Sequence, residues 1–330
     1  MGIKGYKAFG KGLICNPDGI AYKQYKEHTT FEEDGDVDLG PCRKGVMHFC
    51  EDPFDVLRAY PLVNSDGEIT EFAEVEAVGD VRNYKNQSIT NKLHIGAKLN
   101  LKGFVKACVD FTIEKTKFEI DKDSDSDISS GDSARIGSSG DHAKIGSSGD
   151  YAQIGSSGDH AQIGSSGDSA QIGSSGYSAK IGSSGYSDQI GSSGDYAKIG
   201  SSGYSAQIGS SGYYAQIGSS GDSAKIGSSG DYAQIGSSGD YAKIGSSGDY
   251  AKITSEGKNS VVMAAGFDSM AKAKIGSWIT LAEWVRVNDD DKTIWKPKCV
   301  KTEYVDGEKI KEDTFYKLID GEFKEVKEND

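Results

Sequence analysis

Ala143-Lys144-Ile145-Gly146-Ser147-Ser148-Gly149-Asp150-Tyr151 is one unit of a phrase that repeats through the middle of the chain. Its isoleucines stand nine residues apart, fourteen times in succession, from Ile136 to Ile253. The unit varies mainly at the Lys/Gln before the isoleucine and at the closing Asp/Tyr and Tyr/Ser/His pair. A nonapeptide with one large apolar side chain cannot bury it alone, whereas stacked units can, so the period predicts a solenoid. Read as a strand, Ala143, Ile145 and Ser147 share one face, and Lys144 and Gly146 the other. The Ser148-to-Tyr151 stretch reads as a turn, with Gly149 taking a positive φ and Asp150 bonding its own backbone. Two glycines and two serines per unit oppose a helix. A disordered Gly/Ser linker has no reason to keep isoleucine in register.

The variable positions set the coil size. Like side chains one coil apart lie ~4.8 Å from each other and form ladders at the coil period. Every second unit closes on His142, His160, Ser178, Tyr196, Tyr214, Tyr232 and Tyr250, and the interleaved units on Tyr151, Ser169, Ser187, Ser205, Ser223 and Tyr241. Sorting at 27 residues mixes tyrosine with serine, so an 18-residue, two-sided coil of two nonapeptides fits better than a three-sided one. Isoleucine and alanine would fill a thin interior, with inward serine hydroxyls bonding one another or the backbone.

The chain has 330 residues and a formal net charge of −13. Between Ala134 and Ile253 ten Asp stand against seven Lys/Arg, so the acid lies in the flanks. That balance disfavours non-specific nucleic-acid binding, which needs a basic footprint. No apolar run is long enough to span a bilayer, and Met1-Gly2-Ile3-Lys4-Gly5-Tyr6 leads into strand-like sequence rather than a signal peptide. Five widely spaced cysteines suit a reducing compartment, so a cytoplasmic protein is expected.

Ahead of the repeats, Gly5-Tyr6-Lys7-Ala8-Phe9 reads as a first strand and Phe72 to Val78 as a later one. Between them come Gly45-Val46-Met47-His48-Phe49-Cys50 and a helix start with Asp52 as N-cap and Pro53 at the first position. These features resemble a small domain family found at the start of proteins from phages, prophages and gut bacteria. Its signature is a Gly-Tyr-Lys-(Ala/Gly)-Phe opening, a Gly-x-x-His-Phe-Cys strand, an acidic-Pro helix start and a Glu-Val-Glu-Ala strand. The resemblance covers residues 5 to about 80 and carries no established activity. From the residues themselves, Cys15, Cys42, His48 and Cys50 form a Cys/His set that could ligate zinc, but close Cys pairs are missing and buried thiols explain them equally. The strand order also loosely resembles ADP-ribosyltransferase folds, for which His48 and Glu76 would be the catalytic candidates; fold analogy does not confer the activity. No cofactor is called for.

The expected organisation is a small α+β domain over 1–120, an acidic joint with a first imperfect repeat over 121–133, the solenoid over 134–259, and a β-rich capping segment over 260–330. Ile89 to Leu101 alternates like a strand, and Leu101 to Phe118 reads as helix or strand. Trp278 and Trp284 are expected to close the interior, followed by hairpins turning at Asp306-Gly307 and Asp320-Gly321. Calcium rolls need a Gly-Gly-x-Gly-x-Asp pattern, whereas Tyr177, Tyr186, Tyr204 and Tyr213 occupy the aspartate position here. Ice binding needs a regular Thr face, which is missing. The resulting expectation is a non-enzymatic repeat scaffold of phage or mobile-element origin, capped at both ends. It would bind a protein partner through Tyr196, Tyr214, Tyr232 and Tyr250, with self-association of copies also open and neither nucleic acid nor membrane involved. Two alternatives remain, a transferase domain displayed on a rod and a phage-encoded inhibitor of a host nucleic-acid-binding protein.

Overall fold

The computed structural model describes residues 2–15, 23–39, 45–63, 69–84, 86–116, 126–289 and 292–326. The repeats form a two-sided parallel β-solenoid. Strands such as Arg135–Ser138, Gln153–Ser156 and Gln171–Ser174 pair in register 18 residues apart, so Ile136, Ile154 and Ile172 stack in successive coils. The interleaved strands, from Lys144–Ser147 onward, build the opposite sheet in the same way. With their C-terminal extensions the sheets hold eleven and ten strands. Alternate phrases thus occupy opposite faces, and their isoleucines and alanines form one continuous buried core. Each fully buried isoleucine contributes roughly 1.5–3 kcal/mol. The first strand, Ser126–Ser129, sets Ile128 opposite Gly146 and Asp127 opposite Ile145, so the imperfect repeat enters one place out of phase with the isoleucine ladder.

Three local expectations change. The turn glycines do not take a positive φ; that role falls two residues later, where every closing residue from Ser133 to Tyr250 has φ of 54–60°. Glycine is required there by proximity: a Cβ on Gly149 would overlap the carbonyl oxygen of Gly131, one coil earlier, and the same overlap recurs at each coil. The turn aspartates reach across coils instead of bonding their own backbones, as where Asp168 N–H donates to Asp150 Oδ1 at 2.8 Å and Tyr177 N–H to Asp159 Oδ1 at 2.8 Å. Nor do the inward serines form a hydroxyl ladder. Ser147, Ser165, Ser201 and Ser219 bury Oγ atoms without a partner, because like atoms one coil apart are separated by ~4.8 Å, beyond hydrogen-bond reach. Ser183 differs, donating to the carboxylate of buried Asp188, which stands where other units carry alanine.

At the C-terminal end, Val261–Ala264 pairs with the start of Trp278–Asp289, which folds back as a long antiparallel hairpin with Lys292–Tyr304. Ile279 continues the isoleucine ladder. Trp278 sits at the outward Lys/Gln register and is half exposed, so the tryptophan does not close the interior; Val305, Ile310, Tyr316 and Leu318 do. Asp320-Gly321 turns the hairpin Tyr316–Ile319 to Glu322–Glu325 as expected. Asp306-Gly307 does not: the Asp306 carboxylate instead accepts from the N–H groups of Glu308 and Ile310, shaping a loop between the two sheets. Parallel edges are thereby handed to antiparallel strands, a standard way to end a sheet.

The N-terminal domain has a four-stranded antiparallel sheet, in the order Ile3–Phe9, Glu71–Ala77, Lys92–Leu99 and Thr29–Glu32. A smaller sheet comprises Met47–Phe49, Gln87–Thr90 and Val81–Tyr84. Asp52 caps a 3₁₀ turn over Pro53–Arg58. Leu101–Thr116 is an α-helix (α1), started by the Asn100 side chain accepting from Gly103 N–H at 2.8 Å. The domain lies along one face of the solenoid, against the Lys144–Ser147 series, rather than capping its first coil. Among the described residues, no strand pairs with the outer edge of Ser126–Ser129 or of Arg135–Ser138. No helix among them is long and apolar enough to cross a membrane.

Candidate functional site

Each strand of the phrase points two residues outward, a Lys/Gln and a glycine. Because glycine has no side chain, each face carries a furrow bordered by a Lys/Gln ridge. On one face α1 fills it. A Cβ on Gly236 would meet Leu101 Cδ2 at 3.1 Å, on Gly218 Val105 Cγ2 at 2.8 Å, on Gly200 Val109 Cγ2 at 3.5 Å, and on Gly182 Thr112 Cβ at 3.0 Å. Helix residues 101, 105, 109 and 112 therefore step along four consecutive coils. The match is geometric: steps of three to four helix residues advance ~4.5–6 Å, close to the ~4.8 Å between strands. The other side of the helix packs on the domain, with Phe104 stacked on Phe72 at 3.6 Å between centroids.

The ridge beside the filled furrow is engaged residue by residue. Lys180 Nζ binds the carboxylates of Asp52 and Asp55, at 2.5 and 3.0 Å, and Lys198 Nζ donates to the Phe54 carbonyl at 2.7 Å. Gln216 Oε1 accepts from Leu62 N–H at 3.4 Å and Gln234 Oε1 from Val63 N–H at 3.3 Å. Burial alone would lower the Lys180 pKa, but the two carboxylates more than offset it and hold it above the ordinary lysine value. Lys198 lacks such a partner, and burial, reinforced by the Lys180 ammonium, pushes it down to about 8.

The opposite furrow is open. It runs from Arg135 to Lys243 past Gly137, Gly155, Gly173, Gly191, Gly209 and Gly227 as a groove of about 1120 Å³. At Gly155, Gly173, Gly209 and Gly227 an added Cβ would meet nothing within 4 Å.

The tyrosines singled out from the sequence form a stack. Ring centroids are 5.0 Å apart for Tyr196–Tyr214, then 4.8 Å for Tyr214–Tyr232 and Tyr232–Tyr250. The four side chains remain 39–42% exposed. The row continues edge-on to Phe267 and then Trp295, an extension hidden from a repeat-based reading because both residues lie beyond the phrase. At its other end His142 and His160 stack at 5.0 Å and, with Glu51, Asp52, Asp55 and Arg58, line a cleft of about 500 Å³ between domain and solenoid.

The other candidates are dispersed. His48 lies in the small sheet, opposite Ile89, and burial, reinforced by Lys7, pushes its pKa down to about 4. Glu76 lies in the larger sheet, between Lys4 and His94. The two line different cavities. Cys50 is likewise held neutral, burial pushing its thiol up to about 12, and Cys15 accepts from the Tyr60 hydroxyl at 3.5 Å. Cys42 lies outside the described residues. Among the described residues, no three His, Cys, Asp or Glu side chains are grouped to hold a metal ion.

Residues 3–107 match a family model described as Domain of unknown function (DUF7666). The chain therefore carries a DUF7666 domain at its N-terminus, ahead of the solenoid. No curated protein and no solved structure matches the chain.

Proposed function

We propose that the chain is a rigid, non-catalytic binding scaffold, of phage or mobile-element origin, that holds a protein partner in the cytoplasm against its stacked tyrosine row. The observation that carries this reading is the Tyr196–Tyr250 stack, four rings held at the strand spacing on a backbone locked by coil-to-coil hydrogen bonds. Rigid aromatic rows supply contact area at low entropic cost. Separation of His48 from Glu76 supports treating the N-terminal domain as a clamp on the rod rather than a transferase. Replacing Tyr196, Tyr214, Tyr232 and Tyr250 together with Ser, the residue at most equivalent places in the interleaved row, leaves the coil folded. Partner capture, read by cross-linking from a reporter beside the row, should then be lost while the β-sheet circular dichroism stays unchanged. Undiminished capture would refute the tyrosine row, and NAD consumption abolished by Glu76→Gln would favour the transferase instead.

A further inference from the structure

One face of this solenoid already demonstrates what its glycine furrow binds. The Ile-Gly-Ser-Ser-Gly part of the phrase is the same on both faces, yet Gly182, Gly200, Gly218 and Gly236 are buried under α1, whereas Gly173, Gly191, Gly209 and Gly227 face solvent. We propose that the open furrow is a docking site for an amphipathic α-helix of a partner protein, seated as α1 is seated on the other face.

The occupant's chemistry follows from the covered side. Its furrow-facing residues are those that α1 uses, Leu, Val and Thr at steps of three to four, the set that seats a helix over the glycine row on the covered face. The groove spans seven strands from Arg135 to Lys243, about 29 Å at the strand spacing, which a helix of about 19 residues would fill. The bordering ridge reads Arg135, Gln153, Gln171, Gln189, Gln207, Lys225 and Lys243, with three cations and no carboxylate. On the covered face the equivalent lysine is met by Asp52 and Asp55 and the equivalent glutamines by backbone groups. A partner helix flanked by Asp or Glu at the Lys225–Lys243 end completes the same set of contacts. This site is separate from the tyrosine row and stands or falls independently of it.

The chain supplies its own probe. A peptide of residues 100–116 carries the furrow-facing side chains; with Phe104→Glu, Cys108→Ala and Phe111→Glu its domain-facing side becomes acidic. A lactam between Lys106 and Asp110, which already pair four residues apart, holds it helical, since a helix this short is marginal in water. Binding of the labelled peptide to the intact chain is followed by fluorescence anisotropy. Gly173→Val and Gly209→Val fill only the open furrow, and β-branched residues suit exposed strand positions, so both variants should fold. Saturable binding to the parent, weakened about tenfold or more by either variant because one overpacked contact suffices, and retained by the Tyr-to-Ser variant of the stack, supports the site. Absence of binding overturns it. So does binding indifferent to both valines, which would place the peptide elsewhere, and so does a dimer of the chain that both valines dissociate, which would make a second copy the occupant.

Discussion

Gly218 and Gly209 hold the same place in the same phrase, nine residues apart, and alanine at the two should have opposite effects. At Gly218 the new methyl would stand 2.8 Å from Val105 Cγ2, against about 3.5–4.0 Å for a relaxed carbon contact, so α1 must lift by most of an ångström or Val105 must leave its rotamer. Overpacking of this kind costs about 1–3 kcal/mol. At Gly209 the methyl meets nothing within 4 Å, and removing glycine from a strand interior returns about 0.5–1 kcal/mol of backbone entropy. Unfolding of a docked domain and a repeat array need not be two-state, so the readout is local: hydrogen exchange of the α1 amides. Gly218→Ala should speed their exchange by about fivefold to 150-fold, the equivalent of that cost, while Gly209→Ala leaves it unchanged. Equal effects at the two positions would refute the assignment of a filled and an open furrow.

Lys198, held near 8 against an ordinary value of 10.5, gives up its proton more readily when docked than when free. Its contribution is therefore lost as pH falls through about 8 and fully present above 10.5, so the docking free energy read from urea titrations should rise across that window by up to about 3 kcal/mol, and Lys198→Met should abolish the rise. Asp188 behaves inversely: burial, only partly offset by its hydrogen bonds from Ser183 and the Ala170 and Gly185 N–H groups, raises its pKa above 3.8. Its ionisation therefore destabilises the fold as pH climbs through that raised value, and Asp188→Asn should be the more thermostable at neutral pH by a margin that vanishes below pH 3.8. Gly194→Ala, whose Cβ would overlap the Gly176 carbonyl oxygen, should cost about 4 kcal/mol or more and abolish cooperative unfolding of the neighbouring coils; a soluble variant with parental stability would contradict the coil-on-coil packing.

What could be read from the sequence was whatever repeats locally. The isoleucine interval and the sorting of closing residues at 18 were enough for two parallel sheets, because ladders form between like positions and a wrong coil size would mix tyrosine with serine. The requirement for the turn glycine is invisible within its own unit: what excludes a Cβ at Gly149 is the Gly131 carbonyl, 18 residues earlier. Asp150 follows the same logic, since its acceptor role is spent on Asp168 N–H in the next coil. At Trp278 and Asp306 residue type points to a plug and a hairpin, whereas the parallel register turns the tryptophan outward and the two strands flanking Asp306 belong to different sheets.

The division between filled and open furrow could not be read at all, for a reason built into the design. A nine-residue unit in an 18-residue coil makes every second phrase face the other way, so Gly200 and Gly209 have the same neighbours in sequence and opposite surroundings in space. Which parity is covered depends on the domain that precedes the repeats, through α1 and the segment from Asp52 to Val63. The variable Lys/Gln position does not separate the faces either: Lys180 and Lys198 meet carboxylates and a carbonyl of the domain, but Gln216 and Gln234 meet its backbone on the same face, and the open ridge mixes Arg135, Lys225 and Lys243 with its glutamines. A repeat array copied uniformly thus acquires distinct surfaces from parity and from one docked domain. Changing the number of nonapeptides between α1 and the coils it grips from even to odd would present the other sheet, with its own Lys/Gln ridge, to the same helix.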